Sequence, residues 1–115
     1  MTPARIRAYC ASLHGATYDL KWDVDHVYCV GGKMFAVVFD AKKGAGTVSF
    51  KVDDERFLEL TDRPGIIPAP YLARAKWVQV KDLKAIPEAE LKTFIARSRE
   101  LVAAKLPRGV RASLG

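Results

Sequence analysis

The sequence predicts a two-layer α+β domain in which helices cover one side of an antiparallel sheet. Helical periodicity is confined to the two ends of the chain and to one short internal stretch. Alternation of apolar and polar residues fills the segments between them, as in strands with one buried face. Strands that follow one another through short turns pair antiparallel. The predicted element order is therefore α-β-β-β-β-α-β-α.

The first helix is predicted over residues 3–13. Thr2 offers an N-cap hydroxyl, and Pro3 suits the first helical position. Apolar residues then recur at the spacing of one helix face, at Ile6, Tyr9, Cys10 and Leu13. The pair His14-Gly15 ends this helix.

Four strands are predicted next. The segments ATYDLKW and GTVSFKV alternate in polarity, so each has one buried face. Between them, HVYCVGGKMFAVVF at residues 26–39 is predicted to form a hairpin, because Gly31-Gly32 suits a two-residue turn whose central residues need positive φ. The glycine- and lysine-rich residues 41–46 form the next turn.

The two faces of this hairpin differ in composition. A two-residue turn pairs Cys29 with Met34 and Tyr28 with Phe35. The uncharged face is predicted to lie under the helices and holds Val27, Cys29, Met34, Ala36 and Val38. The other face is predicted to be open and holds His26, Tyr28, Lys33, Phe35 and Phe39. Cys29 and Met34 are therefore predicted to fill the core rather than to react.

The second half of the chain supplies a helix, a strand and a longer helix. DDERFLELTD begins a helix at Asp53 or Asp54, and Pro64-Gly65 stops it. IIPAPYLARA is predicted to be a loop and KWVQV a strand. The last helix starts at Pro87 and ends before Pro107, and residues 110–115 are predicted to be a frayed tail.

Length and motifs bound the function. The 115 residues predict one domain over residues 1–115. No secretory signal and no long apolar window is found, so we expect a cytoplasmic protein without a membrane segment. Cys10 and Cys29 lack CxxC spacing, and His26 has no partner at metal-ligand spacing. No catalytic motif is present, so we predict neither an enzyme nor a cofactor nor a metal.

The net charge of +6 favours contact with an anionic partner. Basic residues lie at predicted turn tips and in the loop before KWVQV, and aromatic residues lie on the predicted open face. Lysines for phosphates beside rings for bases are typical of nucleic-acid interfaces. The predicted binding residues are Lys33, Lys42, Lys43, Lys51, Arg74, Lys76, Trp77 and Tyr28. The first hypothesis is a monomer that binds DNA or another polyanion.

An alternative hypothesis is a small-molecule or protein interaction module. In it, Tyr71, Trp77 and Tyr28 line a pocket beside the loop IIPAPYLARA. The competing interpretation of Tyr71 and Trp77 is that they anchor this loop onto the sheet, and for Tyr71 we favour the anchor.

Several segments, in this order, resemble the YjbR/MmcQ family of small bacterial proteins. They are YCASLHGA, CVGGKMFAVV, VSFKVD, PGIIPAPYLARAKWVQV and IPEAELKTFIARSRELVAAKLP. Within the fourth segment, the pattern is carried by Pro64, Gly65, Pro68, Tyr71, Trp77 and Val80. The resemblance covers nearly the whole chain.

The resemblance implies a frataxin-like (CyaY-like) fold and DNA binding through a double wing of two hairpins. The wings correspond to Gly31-Gly32-Lys33 and residues 41–46. Frataxin-like proteins proper handle iron with acidic residues on the first helix and the first strand. Here that helix, PARIRAYCASL, has two arginines and no acidic residue, so iron handling does not follow from the fold.

Overall fold

The computed structural model describes residues 1–41 and 45–114. The helices are α1 (Pro3–Ser12), α2 (Asp54–Thr61), α3 (Glu88–Ala104) and α4 (Arg108–Ser113). The strands are β1 (Ala16–Lys21), β2 (Asp25–Val30), β3 (Lys33–Asp40), β4 (Gly46–Lys51), β5 (Ile66–Pro68) and β6 (Trp77–Val80). Short 3-10 turns occur at Ala73–Ala75 and Leu83–Ala85.

The six strands form one open antiparallel sheet in the order β1-β2-β3-β4-β6-β5. Helix α3 packs on β3 and β4, α1 packs on β3, and α2 packs on β5 and β6. The α+β class is therefore confirmed. The predicted order lacked two elements, since a short strand lies inside the predicted loop and α4 replaces most of the predicted frayed tail.

The helices begin close to the predicted residues, but the side chain of Asp53 does not cap α2. The Thr2 hydroxyl accepts the Arg5 N–H at 3.2 Å and caps α1 as predicted. Asp53 is the N-cap residue of α2, but its side chain makes no capping hydrogen bond. The Asp53 carboxylate instead accepts from the Arg97 guanidinium on α3 at 3.0 Å, so it ties two helices together.

The hairpin turn forms as predicted, but the register beyond it differs. Gly31 and Gly32 have φ values of 56° and 81°, and Val30 pairs with Lys33. Cys29 pairs with Met34, whereas Tyr28 pairs with Ala36 rather than with Phe35. Phe35 is thus an extra residue on β3, which is a β-bulge.

The bulge exchanges the predicted faces of β2 and of the start of β3, because a shift of one residue turns every side chain to the opposite side. The predicted placement was wrong for His26, Tyr28, Lys33 and Phe35, which lie on the helix side. It was also wrong for Val27, Cys29 and Met34, which lie on the open side. The placements of Ala36 and Val38 under the helices and of Phe39 on the open side are confirmed.

A buried serine of α3 satisfies the backbone at the bulge. The Ser98 hydroxyl donates to the Phe35 carbonyl at 2.6 Å and accepts the Lys51 N–H at 2.9 Å. Regular pairing of β3 with β4 extends only to Ala36 opposite Phe50. Ser98 therefore bridges the two strands where their ladder ends, and it fixes the end of the sheet at which Lys51 lies.

Candidate functional site

A basic cleft lies at the end of the sheet where the β2–β3 turn meets the end of α3. Its volume is about 290 Å³. Three of its lining residues are lysines that come from three separate elements. The lining consists of Lys33, Lys51, Ala75, Trp77, Val102, Lys105 and Leu106. No acidic residue lines the described part of the cleft.

Lys51 is the most enclosed of the three cleft lysines. Its Nζ donates to the Ala75 carbonyl. Burial lowers the pKa of Lys51, and the nearby charges of Lys105 and Lys76 lower this pKa further, while Asp54 opposes the shift. The cleft thus holds like charges close together.

The ion pairs that the described residues form lie elsewhere. Arg5, Arg56, Arg63 and Arg97 form most of them, and Lys92 on α3 pairs with Glu88. Over residues 1–41 and 45–114, none of Lys33, Lys51 and Lys105 has a carboxylate oxygen within ion-pair distance. The ammonium groups of the cleft therefore remain available to an external anion.

The two predicted basic residues of the loop flank this cleft without lining it. Arg74 is exposed on the 3-10 turn next to Ala75. Lys76 has φ of 63°, and its Nζ lies 5.1 Å from the ring centroid of Phe57 on α2. Lys76 is still near enough to affect the pKa of Lys51. The structure therefore groups Lys33, Lys51, Arg74 and Lys76 at one end of the molecule.

Lys42 and Lys43 lie outside the described residues. The strand residues that flank them, Asp40 and Gly46, pair with each other at the end of β3 opposite to Lys33. Seven residue steps along β3 separate the two ends by about 23 Å. The two predicted wings thus emerge from opposite ends of the sheet.

Tyr28 does not belong to an exposed aromatic surface. It is only 3% exposed and lies on the helix side, so its predicted open-face position was wrong. Its hydroxyl accepts from Arg7 Nε at 3.4 Å, and its ring is tilted against that of Tyr18 at 5.3 Å. Burial raises the pKa of Tyr28, while Arg7 opposes this shift. The role of Tyr28 in this geometry is structural.

A second concavity, the aromatic groove, crosses the open side of the sheet. It has a volume of about 520 Å³. Strand residues form its floor, and the β1–β2 turn and the β5–β6 connection form its walls. The lining consists of Trp22, Asp25, Met34, Val37, Phe39, Thr47, Ser49, Ala69, Pro70, Tyr71, Leu72 and Gln79. Asp25 is the one charged side chain in the described lining.

The two walls of the groove present exposed aromatic rings. Trp22 is 75% exposed and Tyr71 is fully exposed. The interpretation of Tyr71 as an anchor of the loop was therefore wrong, whereas Trp77, at 4% exposure, is buried and does hold the loop. Trp22 and Tyr71 also have positive φ values of 53° and 66°, which are unfavourable for bulky residues.

Sequence reasoning missed three members of these sites. Lys105 stands at helical spacing in α3, but nothing in the sequence links the end of α3 to the hairpin tip. Trp22 alternates as the last residue of a strand, yet the strand ends at Lys21 and the turn exposes the ring. Asp25 enters the groove because β2 begins there.

Burial disfavours the reactive thiolate form of both cysteines. Burial raises the pKa of Cys10 to about 12 and also raises that of Cys29. Across the described chain, His, Cys, Asp and Glu side chains do not gather in a group that would hold a metal ion. In the same residues, no helix has the length and apolar character needed to cross a membrane.

The fold and the two concavities define a small α+β protein with an open antiparallel sheet and helices on one side. The family model described as YjbR matches residues 11–101. The chain therefore belongs to the YjbR family. No curated protein matches the sequence.

Two solved structures are similar to this chain. A Deinococcus radiodurans protein of domain family DUF419 is similar with a TM-score of 0.83 and 27% identity, over 99% of this chain and 88% of that one. A Pseudomonas syringae protein is similar with a TM-score of 0.72 and 20% identity, over 89% of this chain and 99% of that one. The second likeness concerns the fold alone.

Proposed function

We propose that the protein binds a polyanion, with DNA as the first candidate, through the basic cleft. One observation carries the proposal: three lysines, at the start of β3, in β4 and directly after α3, line a cleft whose described lining contains no carboxylate. The cleft near the opposite end of the sheet differs, because Arg5, Lys81 and Lys84 share it with Asp82 and Glu88. The net charge of the whole chain does not explain why one cleft is lined by basic residues without acidic ones and the other by both.

The electrostatics of the cleft support an anionic ligand. Lys51 is partly desolvated and repelled by Lys105 and Lys76, which disfavours its charged form. A phosphate between these ammonium groups replaces repulsion with attraction and releases counterions from the nucleic acid. Since the contacts are made to phosphates, they position the ligand and do not read its sequence.

We further infer that the fold is frataxin-like, supported by the one-sided antiparallel sheet. Only one of the two wings is supported as part of the proposed site. The wing of Gly31-Gly32-Lys33 borders the basic cleft. The other wing follows the pair Asp40 and Gly46, which lies about 23 Å away along β3. We assign the first contact with DNA to the Lys33 wing. A cytoplasmic location and a monomeric state stay predictions.

Fluorescence anisotropy with labelled duplex and single-stranded DNA tests the proposal. If about four phosphates are neutralised, raising salt from about 50 mM to about 200 mM weakens binding roughly a hundredfold. Lys33→Gln/Lys105→Gln removes two exposed cleft lysines, and the matched control Lys81→Gln/Lys84→Gln removes two at the other end. The cleft variant lowers the salt slope by about two and the control leaves it unchanged.

Two results would overturn this function. Absence of binding to either DNA at low salt would remove it altogether. Equal losses in the cleft variant and in the control would show a response to net charge rather than binding in the cleft.

The exposed ring of Tyr71 favours a second candidate function, a small-molecule or protein interaction module that uses the aromatic groove. The groove volume of about 520 Å³ is in the range of small-ligand sites. Trp77 and Tyr28 do not contribute to that surface because both are buried.

A further inference from the structure

We propose that the aromatic groove binds the bases of a single-stranded nucleic acid whose phosphates lie in the basic cleft. This inference rests on the proposed function and names its substrate class. It assigns a role to Trp22, Tyr71 and Asp25, which the phosphate contacts leave unused.

The rings at the groove walls suit stacking. Trp22 and Tyr71 are exposed on opposite walls, and Phe39 is an exposed ring on the floor. Bases stack on such side chains with little dependence on sequence, because every base has a π-face. Duplex DNA keeps its bases stacked inside, so the groove selects single strands.

The backbone at Tyr71 supports a role in binding rather than in folding. Tyr71 has positive φ, a conformation that costs free energy for a bulky side chain. The Tyr71 ring does not recover that cost by burial, since it is fully exposed. The positive φ of Trp22 is shared by Asp23 and belongs to the tight β1–β2 turn, which the Val24 N–H closes onto the Lys21 carbonyl and which places the Trp22 ring in solvent. Strained residues such as Tyr71 concentrate at binding sites.

The charge pattern separates bases from phosphates. Asp25 is the only charged residue in the described lining, so the groove repels phosphates and attracts hydrogen-bond donors. Lys21 lies opposite Asp25 on β1, but the two side chains do not form an ion pair. The Asp25 carboxylate can therefore accept from the exocyclic amine of cytosine or adenine, which thymine lacks.

The groove and the cleft are neighbours on the sheet. Ser49 and Gln79 pair on the groove floor, and the adjacent pair on the same side is Lys51 with Trp77, which lines the cleft. Two residue steps along a strand separate these pairs by about 7 Å. Segment 69–76 borders both concavities. One strand of nucleic acid can therefore reach the lysines and the rings together.

Anisotropy with three ligands of equal length tests this inference: oligo-dC, oligo-dT and an abasic oligonucleotide with the same phosphates. We expect oligo-dC to bind tightest and the abasic strand weakest. Trp22→Ala and Tyr71→Ala each weaken oligo-dC binding by about fivefold to a hundredfold. Neither variant affects the abasic strand. Leu58→Ala, which truncates an exposed apolar residue of α2, is the matched control.

Two further readouts localise the bases. Asp25→Ala removes the acceptor and so abolishes the preference for oligo-dC over oligo-dT, while the loss of its negative charge strengthens the binding of oligo-dT and of the abasic strand to a similar, small extent. Oligo-dC quenches the fluorescence of exposed Trp22, and Trp22→Phe removes this quenching although buried Trp77 remains. Free nucleosides that bind as tightly as the oligonucleotide would replace our inference with a small-molecule site.

The failures of the two proposals differ. If the abasic strand binds as tightly as oligo-dC, the groove does not take bases, yet the proposed polyanion function stands. If none of the three strands binds at low salt, the proposed function fails and the inference fails with it.

Discussion

Two pairs of large aromatic residues differ in exposure, since one pair is buried on the helix-covered side of the sheet and the other is exposed on its open side. On the covered side, Phe35 and Phe50 are completely buried under α3. On the open side, Trp22 and Tyr71 stand exposed at the walls of a groove. Folding explains the first pair, because burial of apolar surface stabilises the native state. It does not explain the second pair, which is why we assign those rings to binding.

The largest difference between the two sides is expected in stability. Phe50 stacks on Phe94 with ring centroids 6.0 Å apart, so Phe50→Ala leaves a cavity in the core and costs about 3–5 kcal/mol in the free energy of unfolding. Trp22→Ala removes an exposed ring and changes that free energy by less than about 0.5 kcal/mol. Urea unfolding followed by far-ultraviolet circular dichroism measures both. A large loss in Trp22→Ala would show that the open side is part of the core.

The hydrogen bonds of Ser98 at the bulge are expected to contribute to the stability of the covered side. Ser98→Ala leaves the Phe35 carbonyl and the Lys51 N–H without their partner, which costs about 1–3 kcal/mol. Ser12→Ala is the control, because the Ser12 hydroxyl is exposed and bonds only to Tyr9 in its own helix. Equal effects of the two variants in the same unfolding assay would contradict a bridging role for Ser98.

The sequence predicts the α+β class, most elements and the Gly31-Gly32 turn, because periodicity and turn chemistry are local. It does not predict the bulge at Phe35. One inserted residue leaves the alternation before and after it intact, and changes only which set of alternating residues faces the helices. This reversal displaced Tyr28 and Met34 from their predicted faces.

The sequence likewise predicts only those site residues whose positions follow from local patterns. Lys33 was identified by its position at the turn and Lys51 by its place on the polar side of its strand, and the structure brings both into the cleft. Lys105 was missed because its place in the cleft depends on contact between elements far apart in sequence, and Asp25 was missed because the predicted β2 began one residue later, at His26. Tyr71 was misjudged because exposure depends on the path of its loop.

Tyr71 allows a test of strain on the open side. Because its ring is exposed and its φ is 66°, Tyr71→Gly removes an unfavourable conformation and no buried contact. We expect a change between zero and a gain of about 1 kcal/mol in unfolding free energy. Leu58→Gly, at an exposed position inside α2, should instead lose about 1 kcal/mol. If Tyr71→Gly lowers the unfolding free energy as much as Leu58→Gly does, Tyr71 stabilises the fold and the strain argument is wrong.

The smallest expected effect concerns His26, at the β1–β2 edge of the covered side. His26 Nδ1 lies 2.7 Å from the Tyr18 hydroxyl. Burial lowers the pKa of His26 below 6.5, Arg7 adds to this, and Asp40 and Asp25 oppose it. Between the folded-state pKa and 6.5, the unfolded chain binds more protons than the folded protein, so stability rises with pH across that window.

Lowering the pH from about 7.5 to about 5.5 should therefore lower Tm slightly through His26. His26→Gln removes this contribution, and the control His14→Gln retains it. Thermal unfolding of the three proteins at both pH values measures the difference. If His26→Gln keeps the full pH dependence, carboxylates or other groups account for it, and the edge between the two sides of the sheet carries no histidine-linked stability.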